Sequence, residues 1–135
     1  MEVVVIDGQG GGLGRAIVEA LKASKLNCIV IGVGTNSIAT SNLRKGGADF
    51  VATGENAIMY NAKNANIIIG PIGIAFSNSM YGEISPAMAH AINESEATKY
   101  LLPISKCSAK IIGTTQKPMN EYIQELIEIL EKRMK

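Results

Sequence analysis

The sequence predicts an α/β domain: a doubly wound, mainly parallel sheet in the strand order 3-2-1-4-5, with an antiparallel edge strand. Three observations lead there. Short runs rich in β-branched residues or leucine recur at residues 3–6, 28–33, 67–69 and 100–104, with a weaker one at 50–52. They are apolar at consecutive positions, which suits strands covered on both faces, as parallel strands are. Between them lie segments whose apolar residues recur three and four apart, the period of a helix packed on one side.

Taken in order, Val3-Val4-Val5-Ile6 leads into Asp7-Gly8-Gln9-Gly10-Gly11-Gly12-Leu13-Gly14. Leu13, Ala16, Ile17, Ala20 and Leu21 then mark the apolar stripe of a first helix. A second helix is expected over residues 37–45, capped by Asn36 or Ser37 and stopped at Gly46. A third covers 55–64, and Ser85-Pro86 starts a fourth that reaches Asn93, with proline at the first helical position. The last helix, 119–135, is the most regular, striped by Met119, Tyr122, Ile123, Leu126, Ile127, Leu130 and Met134. Six residues separate Ile104 from Ile111, too few for a parallel crossover. Residues 109–113 are therefore expected as a sixth strand, antiparallel to the fifth.

Length and charge narrow the function. A chain of 135 residues matches one domain, 1–135, too short for a cofactor domain plus a substrate domain. A second subunit, in a homodimer, would be the way to complete a site that one fold leaves open. Thirteen basic residues against twelve acidic ones, with no basic stretch, argue against nucleic acid as a partner. The longest mostly apolar stretch, 67–76, is interrupted by Gly70-Pro71 and falls short of a membrane span, and the start Met1-Glu2 is unlike a secretory signal. A cytoplasmic protein without membrane contact is expected. Cys28 and Cys107 form no Cys-x-x-Cys pair and His90 stands alone, so no metal is implied.

The chemistry concentrates in the first turn. At a strand-turn-helix junction the helix presents unpaired N–H groups and the positive end of its dipole, and glycines let an anion approach the backbone. Gly8, Gly12 and Gly14 follow the spacing Gly-x-x-x-Gly-x-Gly, directly after an apolar strand and before an amphipathic helix. Arg15-Ala16 stands where a phosphate-binding P-loop needs Lys-Ser/Thr, so that motif is excluded. At the end of the second strand, Gly32-Val33-Gly34-Thr35-Asn36-Ser37 carries no acid to hold ribose hydroxyls, which tilts the choice of nucleotide from NAD toward NADP or a mononucleotide.

In an open parallel sheet the ligand crevice lies beyond the carboxyl ends of the strands. The polar residues expected there are Asp7 and Gln9, Thr35 and Asn36, the segment 53–56, Gly70-Pro71, and Ser105-Lys106-Cys107. Cofactor contacts are assigned to Gly8, Gln9, Gly10, Gly11, Gly12, Leu13, Gly14, Thr35, Asn36, Gly70 and Pro71. Glu55, at a helix start, is the candidate acid or base, with a first-turn glutamate favoured by the helix dipole as the alternative. Asp7 is read as pinning the glycine loop. The loop at 73–83 mixes aromatic and small polar residues as a lid or a subunit contact would; Asn78, Tyr81 and Glu83, with Asn56, are its substrate-binding candidates. Phe76 and Met80 are the anchors expected if that loop merely folds over the core.

The glycine spacing resembles the cofactor turn of the short-chain dehydrogenase/reductase family, whose glycines cradle the pyrophosphate of NAD(P). That family's Tyr-x-x-x-Lys pair is missing, since Asn64, Ser85, Ile104 and Leu126 follow the four tyrosines at that spacing. Asp7-Gly-Gln-Gly-Gly-Gly, Thr53-Gly-Glu-Asn-Ala57, Gly70-Pro-Ile-Gly73 and Asn78-Ser-Met-x-Gly-Glu83 together resemble a bacterial family of short Rossmann-like proteins, a domain of unknown function. That resemblance implies the fold and no activity. The residues point to a protein binding a phosphate-bearing nucleotide; a non-catalytic metabolite sensor acting through a protein partner is the alternative.

Overall fold

Five strands rich in valine and isoleucine form the centre of the computed structural model, which describes residues 1–104 and 109–133. They are β1 (Glu2–Asp7), β2 (Ile29–Gly34), β3 (Phe50–Thr53), β4 (Ile67–Pro71) and β5 (Thr98–Leu102), all parallel, in the order β3-β2-β1-β4-β5. Helices α1 (Gly12–Ala23), α2 (Ser37–Gly46), α3 (Glu55–Asn64) and α4 (Pro86–Glu94) lie in the crossovers, with α5 (Met119–Arg133) after β5. The chain winds outward from β1 to β3, then crosses to start again at β4. The strand order therefore reverses between β1 and β4, where two βα connections diverge and leave a crevice at the carboxyl ends.

Alternate residues of each central strand serve opposite faces. Val3 and Val5 pack with Val30, Ile67 and Ile69 against Ile17 and Leu21 of α1, Leu43 of α2 and Ile123, Leu126 and Leu130 of α5. Val4 and Ile6 pack with Val33 and Ile68 against Ile58 of α3 and Met88, Ala89 and Ile92 of α4. Burial on both faces explains the unbroken apolar runs.

Helix ends follow local chemistry. The Asn36 side chain caps α2 by accepting the Ala39 N–H, and Gly47 closes it with φ of 108°. Ser85 caps α4, and Pro86 occupies the first helical position. Two expectations are corrected. Residues 109–113 form no strand, so among the described residues the sheet has no antiparallel edge. Thr114 Oγ1 donates to the Ile111 carbonyl and the Tyr122 hydroxyl to that of Thr115, so local turns satisfy part of this backbone. The fifth strand also starts two residues earlier than expected, because Thr98 pairs with Ile67 in register. Met134 and Lys135, read as the end of the last helix, lie outside the described residues. No described helix is long and apolar enough to cross a membrane.

Close packing of α2 on β2 needs Gly32, where a Cβ would stand 2.7 Å from the Leu43 Cβ. Gly32→Ala is expected to destabilise the protein by about 1–3 kcal/mol through overpacking. Urea unfolding measures this, and an unchanged midpoint would contradict the packing described.

Candidate functional site

The glycine turn follows β1, and two carboxylates set its shape. Asp7, the last residue of β1, is 5% exposed. Its Oδ1 accepts the Gly8 N–H at 2.8 Å and its Oδ2 the Gly14 N–H at 2.6 Å. Gly14 lies in the first turn of α1, whose N-cap Gly11 brings no side chain, so Asp7 caps the helix from the strand. A Cβ on Gly14 would stand 2.8 Å from Asp7 Oδ2, which leaves glycine as the residue that fits. Burial pushes the Asp7 carboxyl up, the bonds from Gly14 and Gly8 pull it down and the nearby Glu83 charge adds to the rise; it ends above its ordinary value of 3.8.

Glu83 arrives from the loop between β4 and α4. Its Oε1 accepts from the Gln9 N–H at 2.8 Å, Thr35 Oγ1 at 2.6 Å and Asn36 Nδ2 at 2.9 Å. One carboxylate oxygen thus ties the glycine turn to the end of β2 and the cap of α2. Partial burial pushes this carboxyl up, and the bonds from Thr35, Gln9 and Asn36 pull harder the other way, leaving it below its ordinary value of 4.5. The loop that delivers it bends through φ of 65° at Asn78, 56° at Met80, 56° at Tyr81 and 87° at Gly82. Left-handed backbone costs a non-glycine residue roughly 1–2 kcal/mol, so the surroundings must hold it. The Asn78 N–H donates to the Ile84 carbonyl at 2.7 Å, the Ile84 N–H to that of Ser79 at 3.3 Å, and the Ser79 hydroxyl to that of Gly73.

The two sides of the turn differ. Toward β2 it is closed: Asn36 Nδ2 donates to the Gln9 carbonyl at 3.1 Å, Asn42 Nδ2 to the Gly10 carbonyl at 2.6 Å, and a Cβ on Gly11 would lie 2.7 Å from the Ala39 Cα. Toward β4 it opens on a crevice of about 400 Å³ lined by Asp7, residues 8–13, Pro71, Met80 and Ile104. The N–H groups of Gly10, Gly12 and Leu13, all on this lining, find no partner among the described residues. A Cβ on Gly10 or Gly12 would meet nothing within 4 Å. Not one lysine, arginine or histidine lines the crevice among the described residues.

The structure therefore gathers residues 8–13 and Pro71, while Gly14 gives its N–H to Asp7 and lies off the lining, and Thr35 and Asn36 face Glu83 instead of open space. Gly70 is buried behind the site, with room for no side chain because a Cβ would lie 2.5 Å from the Ile6 carbonyl oxygen. Glu55 accepts the Ser85 hydroxyl at 2.5 Å, at the starts of α3 and α4, and does not line the crevice. Asn56 and Asn78 are exposed and Tyr81 is 89% exposed; none of the three lines it. Met80 is buried as an anchor, but Phe76, 39% exposed, is not. Ser105, Lys106 and Cys107 lie outside the described residues. Asn42 was missed: it reads as an ordinary polar position of α2, and nothing near it in sequence signals its bond to the turn.

A second cavity, about 340 Å³, lies between β5, residues 113–117 and α5. On its lining, Lys117 pairs with Glu125 at 3.2 Å and the Tyr122 hydroxyl donates to the Thr115 carbonyl. Among the described residues, no group of three or more His, Cys, Asp or Glu is placed to hold a metal ion.

A family model described as "Domain of unknown function (DUF3842)" matches residues 2–135. The chain belongs to that family. No curated protein matches this DUF3842 chain. Among solved structures, one match is a dodecameric FMN-dependent UbiX-like decarboxylase from Escherichia coli O157:H7, at 16% identity and a TM-score of 0.48, covering 99% of this chain and 76% of that one. The fold described above rests on the DUF3842 chain's own strand pairing.

Glu83 gives an acid signature. Its carboxyl has a lower pKa folded than unfolded, so its stabilisation is complete above 4.5 and is lost as pH falls through the folded value. Glu83→Gln keeps an acceptor oxygen without the ionisation, so this component of acid unfolding is expected to disappear in the variant. Glu83→Ala is expected to cost about 1–2 kcal/mol at neutral pH, discounted for the carboxylate's partial exposure. Denaturation between pH 3 and 7 tests both, and identical pH profiles for wild type and Glu83→Gln would contradict them.

Proposed function

We propose that this protein binds a phosphate-bearing small molecule in the crevice between β1 and β4, with the phosphate on the N–H groups of Gly10, Gly12 and Leu13. The observation that carries the reading is those three unpartnered amides, at the positive end of the α1 dipole, on the lining of a cavity of about 400 Å³. Amides so placed favour an anion without a cationic side chain. The cavity lies where the strand order reverses, the usual ligand position in such sheets. Apolar Leu13, Pro71, Met80 and Ile104 suit the body of a ligand that a few polar groups orient. A nucleotide meets this description, as a mononucleotide or as a dinucleotide of the NADP type.

Gly12 provides the test. Its Cβ position is open, so Gly12→Leu is expected to leave the melting temperature of the unliganded protein nearly unchanged while removing the stabilisation that millimolar phosphate gives the wild type. The wild-type melting temperature shifting neither with phosphate nor with any phosphate ester would sink the reading.

Asp7 predicts a pH dependence. Its ionised carboxylate lines the crevice and repels a bound anion, so binding raises an already elevated pKa and takes up a proton. Affinity is expected to fall as pH rises through the Asp7 pKa, above 3.8. Sulfate, which keeps its charge across that range, is the probe, followed by calorimetry; an affinity independent of pH would remove Asp7 from the site.

A further inference from the structure

Resting on the phosphate reading above, we infer that the ligand is a phosphate monoester no larger than one nucleotide, held by its terminal phosphate with the remainder lying toward β4. The asymmetry of the turn carries this. A terminal phosphate needs one exit for the rest of its molecule, whereas the pyrophosphate of a dinucleotide needs two, one on each side of the turn. In a doubly wound sheet the second exit runs over the end of the second strand, where the ribose of a dinucleotide is held.

Here that exit is filled by the protein. Glu83 Oε1 takes the Gln9 N–H, Thr35 Oγ1 and Asn36 Nδ2, all within 2.9 Å. Asn42 and Ala39 of α2 close on Gly10 and Gly11. The carboxylate that stands at this place also repels a 2′-phosphate, so its charge opposes the NADP-type ligand that the sequence favoured. Toward β4 the crevice is open, its volume is at the small end of the roughly 300–1,000 Å³ typical of small-molecule sites, and its far wall is apolar. The three free amides are enough for one phosphate. Three amides also match the three peripheral oxygens of a terminal phosphate.

Calorimetric titration of the full chain with AMP, nicotinamide mononucleotide, flavin mononucleotide, ribose 5-phosphate, NAD and NADP tests the inference, with sulfate competition to confirm a shared site. At least one monoester is expected to bind at least about tenfold more tightly than either dinucleotide. NAD or NADP binding as tightly as the best monoester would overturn the inference while leaving the phosphate reading intact, and so would binding of inorganic phosphate with none of the monoesters. If neither phosphate nor any ligand of the panel binds, the phosphate reading itself fails and takes this inference with it.

Discussion

An α-helix begins with amide hydrogens that need partners, and α1 receives one of them from the strand before it. Asp7 turns its carboxylate back across the junction and takes the N–H groups of Gly8 and Gly14. That contact fixes the distance between β1 and α1 and removes any room for a side chain at Gly14. It also divides the helix start into an occupied part and a free part. The amides that Asp7 leaves alone are those of Gly12 and Leu13, and with Gly10 they form the open side of the turn. The crevice left by the strand reversal is therefore lined by amides that the internal cap does not use.

Glu83 acts on the same turn from the opposite direction. Its carboxylate collects donors from three separate elements, and the loop that carries it accepts left-handed backbone at three residues other than glycine. Strain of that size persists only where other contacts over-determine the conformation. Here the contacts are the carbonyl bonds of residues 73, 78, 79 and 84 together with burial of Met80 beside Gly8, whose Cβ position lies 2.7 Å from the Met80 sulfur. A buried methionine and a bonded carboxylate therefore brace one short loop at both ends. The result is a turn tied down on the β2 side and, among the described residues, open on the β4 side.

Much of this was legible in the sequence, and the remainder was hidden for a definable reason. Unbroken apolar runs such as Val3-Val4-Val5-Ile6 reveal strands buried on both faces, and Asn36 and Ser85-Pro86 mark helix starts because capping is local chemistry, while the stop expected at Gly46 falls one residue later, at Gly47. The strand order and the position of the glycine turn follow from these. Where local chemistry stopped, so did the reading. Residues 109–113 are rich enough in isoleucine to suggest a strand, but pairing is a long-range property that composition does not encode. In the sequence Glu83 reads as a polar residue of an unusual loop and as a ligand contact. Its actual partner, Gln9, lies 74 positions away, and only the folded chain brings the two together. Thr35 and Asn36 read as cofactor contacts for the same reason: their donors do serve an anion, and that anion is the protein's own carboxylate.

Internal and external anions at one helix start compete for the same field, and that competition shapes what the site can hold. Desolvation is the largest single influence on both carboxyls; at buried Asp7 it outweighs two backbone bonds, whereas at Glu83 the bonds from Thr35, Gln9 and Asn36 together outweigh it, which is why the two shift in opposite directions. Both charges lie close to the free amides and weaken the attraction those amides exert on a phosphate. No lysine or arginine among the described lining residues restores it. On the proposed phosphate reading, the three amides and the apolar wall formed by Leu13, Pro71, Met80 and Ile104 would supply the affinity. A ligand with one phosphate and a sizeable apolar or aromatic body gains from both features. Inorganic phosphate would gain from the amides alone, and each negative charge beyond one phosphate would meet two carboxylates and a helix dipole already partly neutralised by one of them.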